Sequence, residues 1–564
     1  MCIQIVYGGV GLPNTEQTRF VPRSELREQG RRPKHTHRKQ APVHSRQTGR
    51  PVRHTAHKAT KASQHALKTT MVVTLIIAAS KLLGFVREMV MAAYFGRGVE
   101  SDAFVTAYGI FSIMTLLFSA GIASTFIPIY TKTRLRQGQL AADRYASQVV
   151  TLYFVAGLLG SLLAYLFAPA ICSLIYRAEV GVELTIQLTR MMYPSLAFYA
   201  VTGVLCNLLN AREKFIPEQL LGFILSACLI TAIVLFKDIR MVGIAVSVTG
   251  VTQTIILLPF LRGHFRYRPH LTVREPKIRR TFVLAIPALI SMAFDEINHQ
   301  IDRMIGSSLG VGVVTALSKS YSLVTTALGI LIVPITTITF SRLSRIVAKR
   351  KKNDFSQAVR QSIEIIALVT MPVIVLGVVM QKDIIAVAFQ RGAFTAEDTA
   401  FTAPVFAMYI AGLFFFGLRN FLSRVFYSLQ DTRTPMRVGI VSVCVNIALN
   451  LTLSRIIGAM GLTLATTTAA LTGATLQLIL LHKKMGSLGL RSVVGQILRI
   501  LISLAAATVI LLLVLGLLPA HNGETLTGLL RLFAGAASFL AVYLGATMVL
   551  GVRSTRQLIH MVKK

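Results

Sequence analysis

Apolar runs of about twenty residues, long enough to cross a hydrocarbon core of roughly 30 Å as a helix, recur along nearly the whole chain after residue 70. They fall near 71–95, 103–130, 145–170, 187–211, 217–236, 241–261, 281–308, 312–340, 361–380, 401–429, 435–454, 459–481, 494–518 and 525–551. The pattern predicts an all-α polytopic membrane protein of fourteen transmembrane helices, with the pieces around Gly121 and Pro128 read as kinks or ends.

The polar connections alternate in charge. Those after even-numbered spans, together with the C-terminal tail, hold 30 Lys and Arg, against seven (Arg97, Arg177, Lys237, Arg240, Lys382, Arg391 and Arg455) after odd-numbered spans. Basic residues are retained on the cytoplasmic side, so both termini are expected there.

The chain also echoes itself. Asn210-Ala-Arg-Glu-Lys-Phe-Ile-Pro217 is answered 218 positions later by Ser428-Leu-Gln-Asp-Thr-Arg-Thr-Pro435, and the segment from Phe126 by the one from Phe340. Two six-helix halves of equal orientation follow, with a pathway between them. The expected division is a basic tail over 1–68, a first lobe over 69–262, a second over 263–490, and two further helices with a cytoplasmic tail over 491–564.

Composition sharpens this picture at three points. With 53% hydrophobic and 15% charged residues and a mean hydropathy of +0.62, the chain is far too apolar for a soluble protein of 564 residues. Of the net charge of +36, residues 1–68 supply +11, with six His and no apolar periodicity. That tail reads as disordered, either binding anionic lipid or nucleic acid or lying upstream of a natural start near Met71; no nucleic-acid partner is assigned. The five cysteines are scattered and form no metal or disulfide pattern. No Walker-type loop is present and Asp295-Glu-Ile-Asn-His299 lacks a second zinc-binding His, so neither an ATPase, a metal nor another cofactor is expected. The reading is a transporter and not an enzyme.

Charge inside the spans marks the candidate site, because a cation at the centre of a membrane helix costs about 2.5–3.5 kcal/mol on insertion scales. In the first span Ser80-Lys-Leu-Leu-Gly-Phe-Val-Arg-Glu88 places Lys81 and Arg87 at depth. They either face a water-filled cavity that takes an anion, or Arg87 pairs with Glu88 while Lys81 snorkels. In the seventh span Asp295, His299 and Asp302 fall on one face, with Glu296 and Arg303 beside them. They are candidates for coupling ion or proton movement to conformational change, with Arg303 as a substrate contact, or else for an internal ion-pair network. Lys319 is a further cavity or interface cation, and Arg419 and Arg424 read as structural. Asn446 and Asn450 read as interhelical glue.

These residues resemble the MurJ/MviN lipid II flippases, within the larger superfamily of multidrug and polysaccharide exporters. The resemblance covers about residues 68–490. It rests on Ser80–Glu88 with Ser101-Asp-Ala-Phe104, on Phe389-Gln-Arg-Gly-Ala-Phe-Thr395, and on Phe426–Pro435 followed by Gly461-Leu-Thr-Leu-Ala465. It implies two six-helix lobes around a central cationic cavity, with the last two helices forming a groove for a lipid tail. The implied cargo is an undecaprenyl-diphosphate-linked muropeptide, lipid II, moved from the inner to the outer leaflet of the bacterial cell membrane for peptidoglycan synthesis. Cell wall synthesis proteins are the implied protein partners. The family's first-helix motif maps onto Ser80, Lys81, Gly84 and Arg87, and its second-helix acidic position onto Asp102. Two family arginines are absent, at Ile113-Met-Thr-Leu116 and at Tyr321-Ser-Leu323; Lys319 and Arg303 are expected to stand in for them. The alternative is the same fold carrying another polyprenyl-linked glycan, or a cation-coupled drug exporter.

Overall fold

The computed structural model describes residues 76–555 apart from 78, 120–121, 179, 264, 270–274, 350–351, 487 and 520–524; within helices some further side chains, 284–295 among them, fall outside the described set. The expected tail over 1–68 lies outside the described residues. Among those described, every regular element is helical. In chain order they are α1 (79–95), α2 (Val99–Ser119), α3 (Ile122–Gln137), α4 (Gln139–Ile175), α5 (Val182–Met192), α6 (Leu196–Asn210), α7 (Ile216–Phe236), α8 (Ile239–Leu261) and α9 (Pro276–Ser308). There follow α10 (Val313–Ala348), α11 (Lys352–Val379), α12 (Gln381–Phe389), α13 (Ala396–Ala411), α14 (Leu413–Ser428), α15 (Arg433–Ile457), α16 (Ala459–Met485), α17 (Arg491–Leu517) and α18 (Thr525–Val549). Twelve helical segments in the described residues are long and apolar enough to cross a membrane. The two other predicted spans, the first and the seventh, fall on α1 and α9.

Lipid explains the surface. On α4, Leu158, Leu159, Leu162, Leu163, Leu166 and Phe167 are all exposed, a patch that water would not tolerate and that hydrocarbon solvates. At 37 and 36 residues, α4 and α10 are roughly 55 Å long and project beyond the core.

The second predicted span is divided between α2 and α3, with Pro128 inside α3; the fourth and the tenth are also broken, and their breaks follow the repeat. The fourth interrupts at a 3₁₀ turn, Tyr193–Ser195, where Pro194 removes a donor. The tenth interrupts at Gly412, 218 positions later. A break at lipid depth leaves carbonyls without their helical donors, and these must be satisfied internally. Ser161 Oγ donates to the Tyr193 carbonyl at 2.7 Å and Ser247 Oγ to that of Met191 at 2.6 Å. At the second break Thr467 Oγ1 donates to the Met408 carbonyl at 2.8 Å. The loops that follow also match, each turning on a non-glycine residue of positive φ, Glu213 at 62° and Gln430 at 58°.

The helices before α9 build a core around Phe111, Tyr193 and Val246; those after it build one around Phe421 and Phe426 and another around Phe406, which also takes in Ala92 of α1. The last pair, α17 and α18, packs on α11 and α12 through Leu368, Met380, Leu504, Leu511 and Phe539, and the Tyr543 hydroxyl donates to the Leu368 carbonyl at 2.8 Å.

Contacts between the two sets of helices concentrate at one end. Ala393 N donates to Ala93 O at 2.7 Å, Arg177 N to Ser307 Oγ at 2.9 Å, and Arg97 pairs with Asp398 at 3.0 Å. At the opposite end, the hydrogen bonds between the sets in the described residues run from α3 and α4 to the segment leading into α9. They include Tyr145 with Thr281 (2.8 Å), Gln148 with Glu275 (3.1 Å) and Lys277 with Gln137 (2.7 Å). The halves are sealed at the α1–α2 end and joined through α9 at the other.

Candidate functional site: a polar crossing at membrane depth

Just inside the sealed end, α1, α2, α9 and α10 meet around charged side chains. Glu88 of α1 is the hub. It pairs with Arg87 at 2.9 Å through one oxygen and with Lys319 of α10 at 2.7 Å through the other. Lys319 is 2% exposed; its Nζ also donates to the Glu88 carbonyl at 3.1 Å and lies 5.7 Å from the Phe389 ring centroid. A lysine so enclosed needs each of these partners, because a buried ammonium without them is prohibitively costly. Of the alternatives open in the sequence, Arg87 is paired with its neighbour Glu88, and that pair is tied across the halves to a third charge that the sequence did not pair with it.

Arg303 approaches from α9. Its guanidinium donates to Gln300 Oε1 and lies against Gly109 of α2, where any Cβ would overlap it. It is within electrostatic reach of Glu296, Asp302, Tyr321 and Tyr409. Tyr108, beside Gly109, is within reach of Arg87, Glu88, Glu296 and Arg303 together. The crossing thus brings together three cations (Arg87, Arg303, Lys319), with Glu88 and Glu296 among them and Asp302 on the far side of Arg303. Aromatic rings complete it: His299 lies 4.4 Å from Tyr321, which lies 5.9 Å from Tyr409.

The other predicted site residues are distributed as follows. Ser80 packs its hydroxyl on Gly222 of α7. Lys81 is exposed and makes no ion pair or hydrogen bond to the described residues. Asp102, 1% exposed, accepts from Gly312 N (2.6 Å), Thr315 N (2.7 Å) and Thr315 Oγ1 (2.5 Å). It caps the N-terminus of α10, where the helix dipole favours an anion, and both its oxygens are engaged.

Asp302 is 3% exposed and turns away from the crossing, one helical step (~100°) from Arg303. It accepts from Asn450 Nδ2 at 2.6 Å and Thr466 Oγ1 at 3.3 Å. With the Asn446 amide nitrogen turned toward it, Asn446 adds a third bond at 3.1 Å. Its hydrogen-bond donors are neutral groups of α15 and α16, while Arg303 is within electrostatic reach. Asp295 lies on α9, but its side chain is outside the described set.

The residues missed by sequence reasoning are Tyr108, Gly109, Gln300, Tyr321 and Tyr409. Tyrosines within apolar runs were the available signal, since a hydroxyl at lipid depth needs a partner. Arg424 of α14 donates to Thr337 Oγ1 at 3.2 Å and has no carboxylate partner among the described residues.

Helical halves related by a sequence repeat, with charge enclosed where they meet, define a secondary transporter of the exporter fold. Solved structures share this fold. An inward-facing multidrug transporter of the multidrug and toxic compound extrusion family matches with a TM-score of 0.63 at 14% identity, over 74% of this chain and 98% of its own. A lipid II flippase structure, in an inward closed conformation, matches with a TM-score of 0.72 at 21% identity, over 87% of this chain and all of its own.

The family model for lipid II flippase MurJ matches residues 91–530. A probable lipid II flippase MurJ of Rhizobium meliloti is 30% identical over 416 residues, 70% of this chain and 77% of that protein. One from Vibrio cholerae is 29% identical over 520 residues, 87% and 97% of the two chains. The chain belongs to the MurJ lipid II flippase family.

Proposed function

We propose that this protein moves lipid II, the polyprenyl-diphosphate-linked peptidoglycan precursor, across the bacterial cytoplasmic membrane by alternating access. The observation that carries this reading, within the family membership, is the convergence of Arg87, Arg303 and Lys319 from three helices at lipid depth. A diphosphate in the low-dielectric interior needs cations and donors, and arginine forks satisfy its oxygens two at a time. Lys81, exposed and lacking a partner among the described residues, is the first cation such a headgroup meets; Ser80 sits one residue away.

The expected lobes, 69–262 and 263–490, are the two rocking bodies, with 491–564 as an appended pair for the lipid tail. The sealed end carries the basic-poor connections, so it faces outward and both termini are cytoplasmic. Asp302, Glu296, His299 and Asp295 on α9, the first helix of the second lobe, are the groups through which an ion or proton would bias the rocking. Cell wall synthesis proteins are the partners on either face. The protein acts without covalent chemistry on its cargo.

The test is growth of a bacterium depleted of its own lipid II flippase and supplied with this chain. Rescue by the wild type and by Arg87→Lys in part, with none by an inserted Arg87→Ala, is the expected outcome. Full rescue by Arg87→Ala contradicts the site, and no rescue by an inserted wild type contradicts the cargo.

A further inference from the structure

The sealed end is closed by contacts that differ in what undoes them. Gly96 and Gly392, at φ 56° and 57°, let residues 93–96 and 392–393 meet backbone to backbone so closely that a Cβ on either glycine would overlap the opposite carbonyl. Inside that backbone seam, Phe85 of α1 lies against Phe389, with ring centroids 6.0 Å apart. Arg97, in the turn between α1 and α2, grips across the seam. Its Nε donates to Asp398 Oδ1 at 3.0 Å, one terminal nitrogen to the Val311 carbonyl at 3.3 Å, and its guanidinium carbon stands 4.2 Å from the Phe401 ring centroid. One side chain thereby ties the α1–α2 turn to both the α9–α10 turn and α13.

The receiving carboxylate is held in place. Asp398 is the third residue of α13 and forms its capping box: the second oxygen accepts from Thr395 N at 2.9 Å, while Asp398 N donates to Thr395 Oγ1 at 3.3 Å. A fixed acceptor costs Arg97 less ordering entropy than a mobile one. The two side chains are only 14% and 12% exposed, so the pair is largely shielded from screening water. Gly312, at φ 82°, has no room for a Cβ because the stem and terminal nitrogen of Arg97 occupy that space.

We propose that Arg97 is a latch on the outer face: its bond to Asp398, supported by Val311 and Phe401, holds the sealed end shut, and its release sets how often the protein opens outward. This rests on the alternating-access reading and is independent of the cargo. The experiment is a pulsed electron spin resonance distance measurement in lipid nanodiscs. The full chain carries spin labels at Arg240→Cys and Arg455→Cys, exposed positions at the sealed end, with the five native cysteines replaced.

Arg97→Met and Asp398→Asn, the latter keeping an oxygen for the Thr395 cap, should each raise the long-distance population about tenfold. The double variant should add nothing further, and Arg97→Lys should stay near the wild type. An unchanged distribution in Arg97→Met, or a shift in only one of the two single variants, overturns the latch. A wild type that never opens with lipid-linked precursor present, while Arg97→Met does open, instead counts against precursor-driven alternation and leaves the latch standing.

Discussion

Removing the ammonium of Lys319 should reveal how tightly the crossing is coupled. In Lys319→Met the stem volume is nearly kept, but Glu88 loses a 2.7 Å partner, its own carbonyl loses a 3.1 Å donor, and Phe389 loses its cation. Breaking one side of a fully buried pair costs about 3–5 kcal/mol. The Glu88 side chain is 20% exposed and keeps Arg87, so we expect less than that, about 2–3 kcal/mol. Glu88→Gln should cost a similar amount, because it leaves two cations facing each other. The double variant Glu88→Gln/Lys319→Met removes both charges, and the cycle should show a coupling of about 1–3 kcal/mol. Thermal unfolding in detergent micelles, read by intrinsic tyrosine absorbance or by cysteine accessibility, measures all four proteins. Strictly additive losses would refute the argument that these groups stabilise one another across the halves.

Three further outcomes follow from particular contacts. Gly109→Ala places a methyl group where the Arg303 guanidinium lies, so transport should fall by more than tenfold while stability drops by about 1–3 kcal/mol; precursor flipping beside an unfolding curve separates the two. Asp302→Asn keeps most of the hydrogen bonds from Asn450 and Thr466 but removes the charge, and should abolish the response of flipping to an imposed ion or pH gradient while leaving the protein folded. Asp431, between spans, has its carboxyl held below the usual value of 3.8: burial pushes it up, but hydrogen bonds from Lys484 and Thr434 outweigh that. Its folded pKa being lowered, it contributes stability above pH 3.8 that is lost as pH falls through the folded value; Asp431→Asn should flatten that acid limb in a pH series of unfolding curves.

The helices were largely legible because hydrocarbon imposes one rule on every span, and each predicted run has a helix over it. What the sequence left open were the breaks at 193–195 and 412 and the short α12, since an apolar run looks continuous whether or not a neighbour's hydroxyl satisfies its carbonyls. The repeat pointed to corresponding loops but not to the paired breaks. At the site, the charged residues were visible from their cost in lipid, whereas their partners were not. Lys319 meets Glu88 across 231 positions and Asp102 meets Thr315 across 213, distances over which no periodicity carries information. Asn446, Asn450 and Thr466 were legible only as polar residues facing inward; that they converge on one carboxylate needed the packing of α9, α15 and α16. Arg97 looked like an ordinary loop cation because Asp398 lies 301 positions away.

Where the precursor goes is the most direct test of the cationic crossing. In vesicles holding labelled lipid II in the inner leaflet, accessibility to an outer-leaflet degrading enzyme should rise with the wild-type protein, fall to the protein-free level with Arg87→Ala, and recover in part with Arg87→Lys. Equal accessibility with wild type and Arg87→Ala, both correctly inserted, would contradict the claim that these cations carry the diphosphate across.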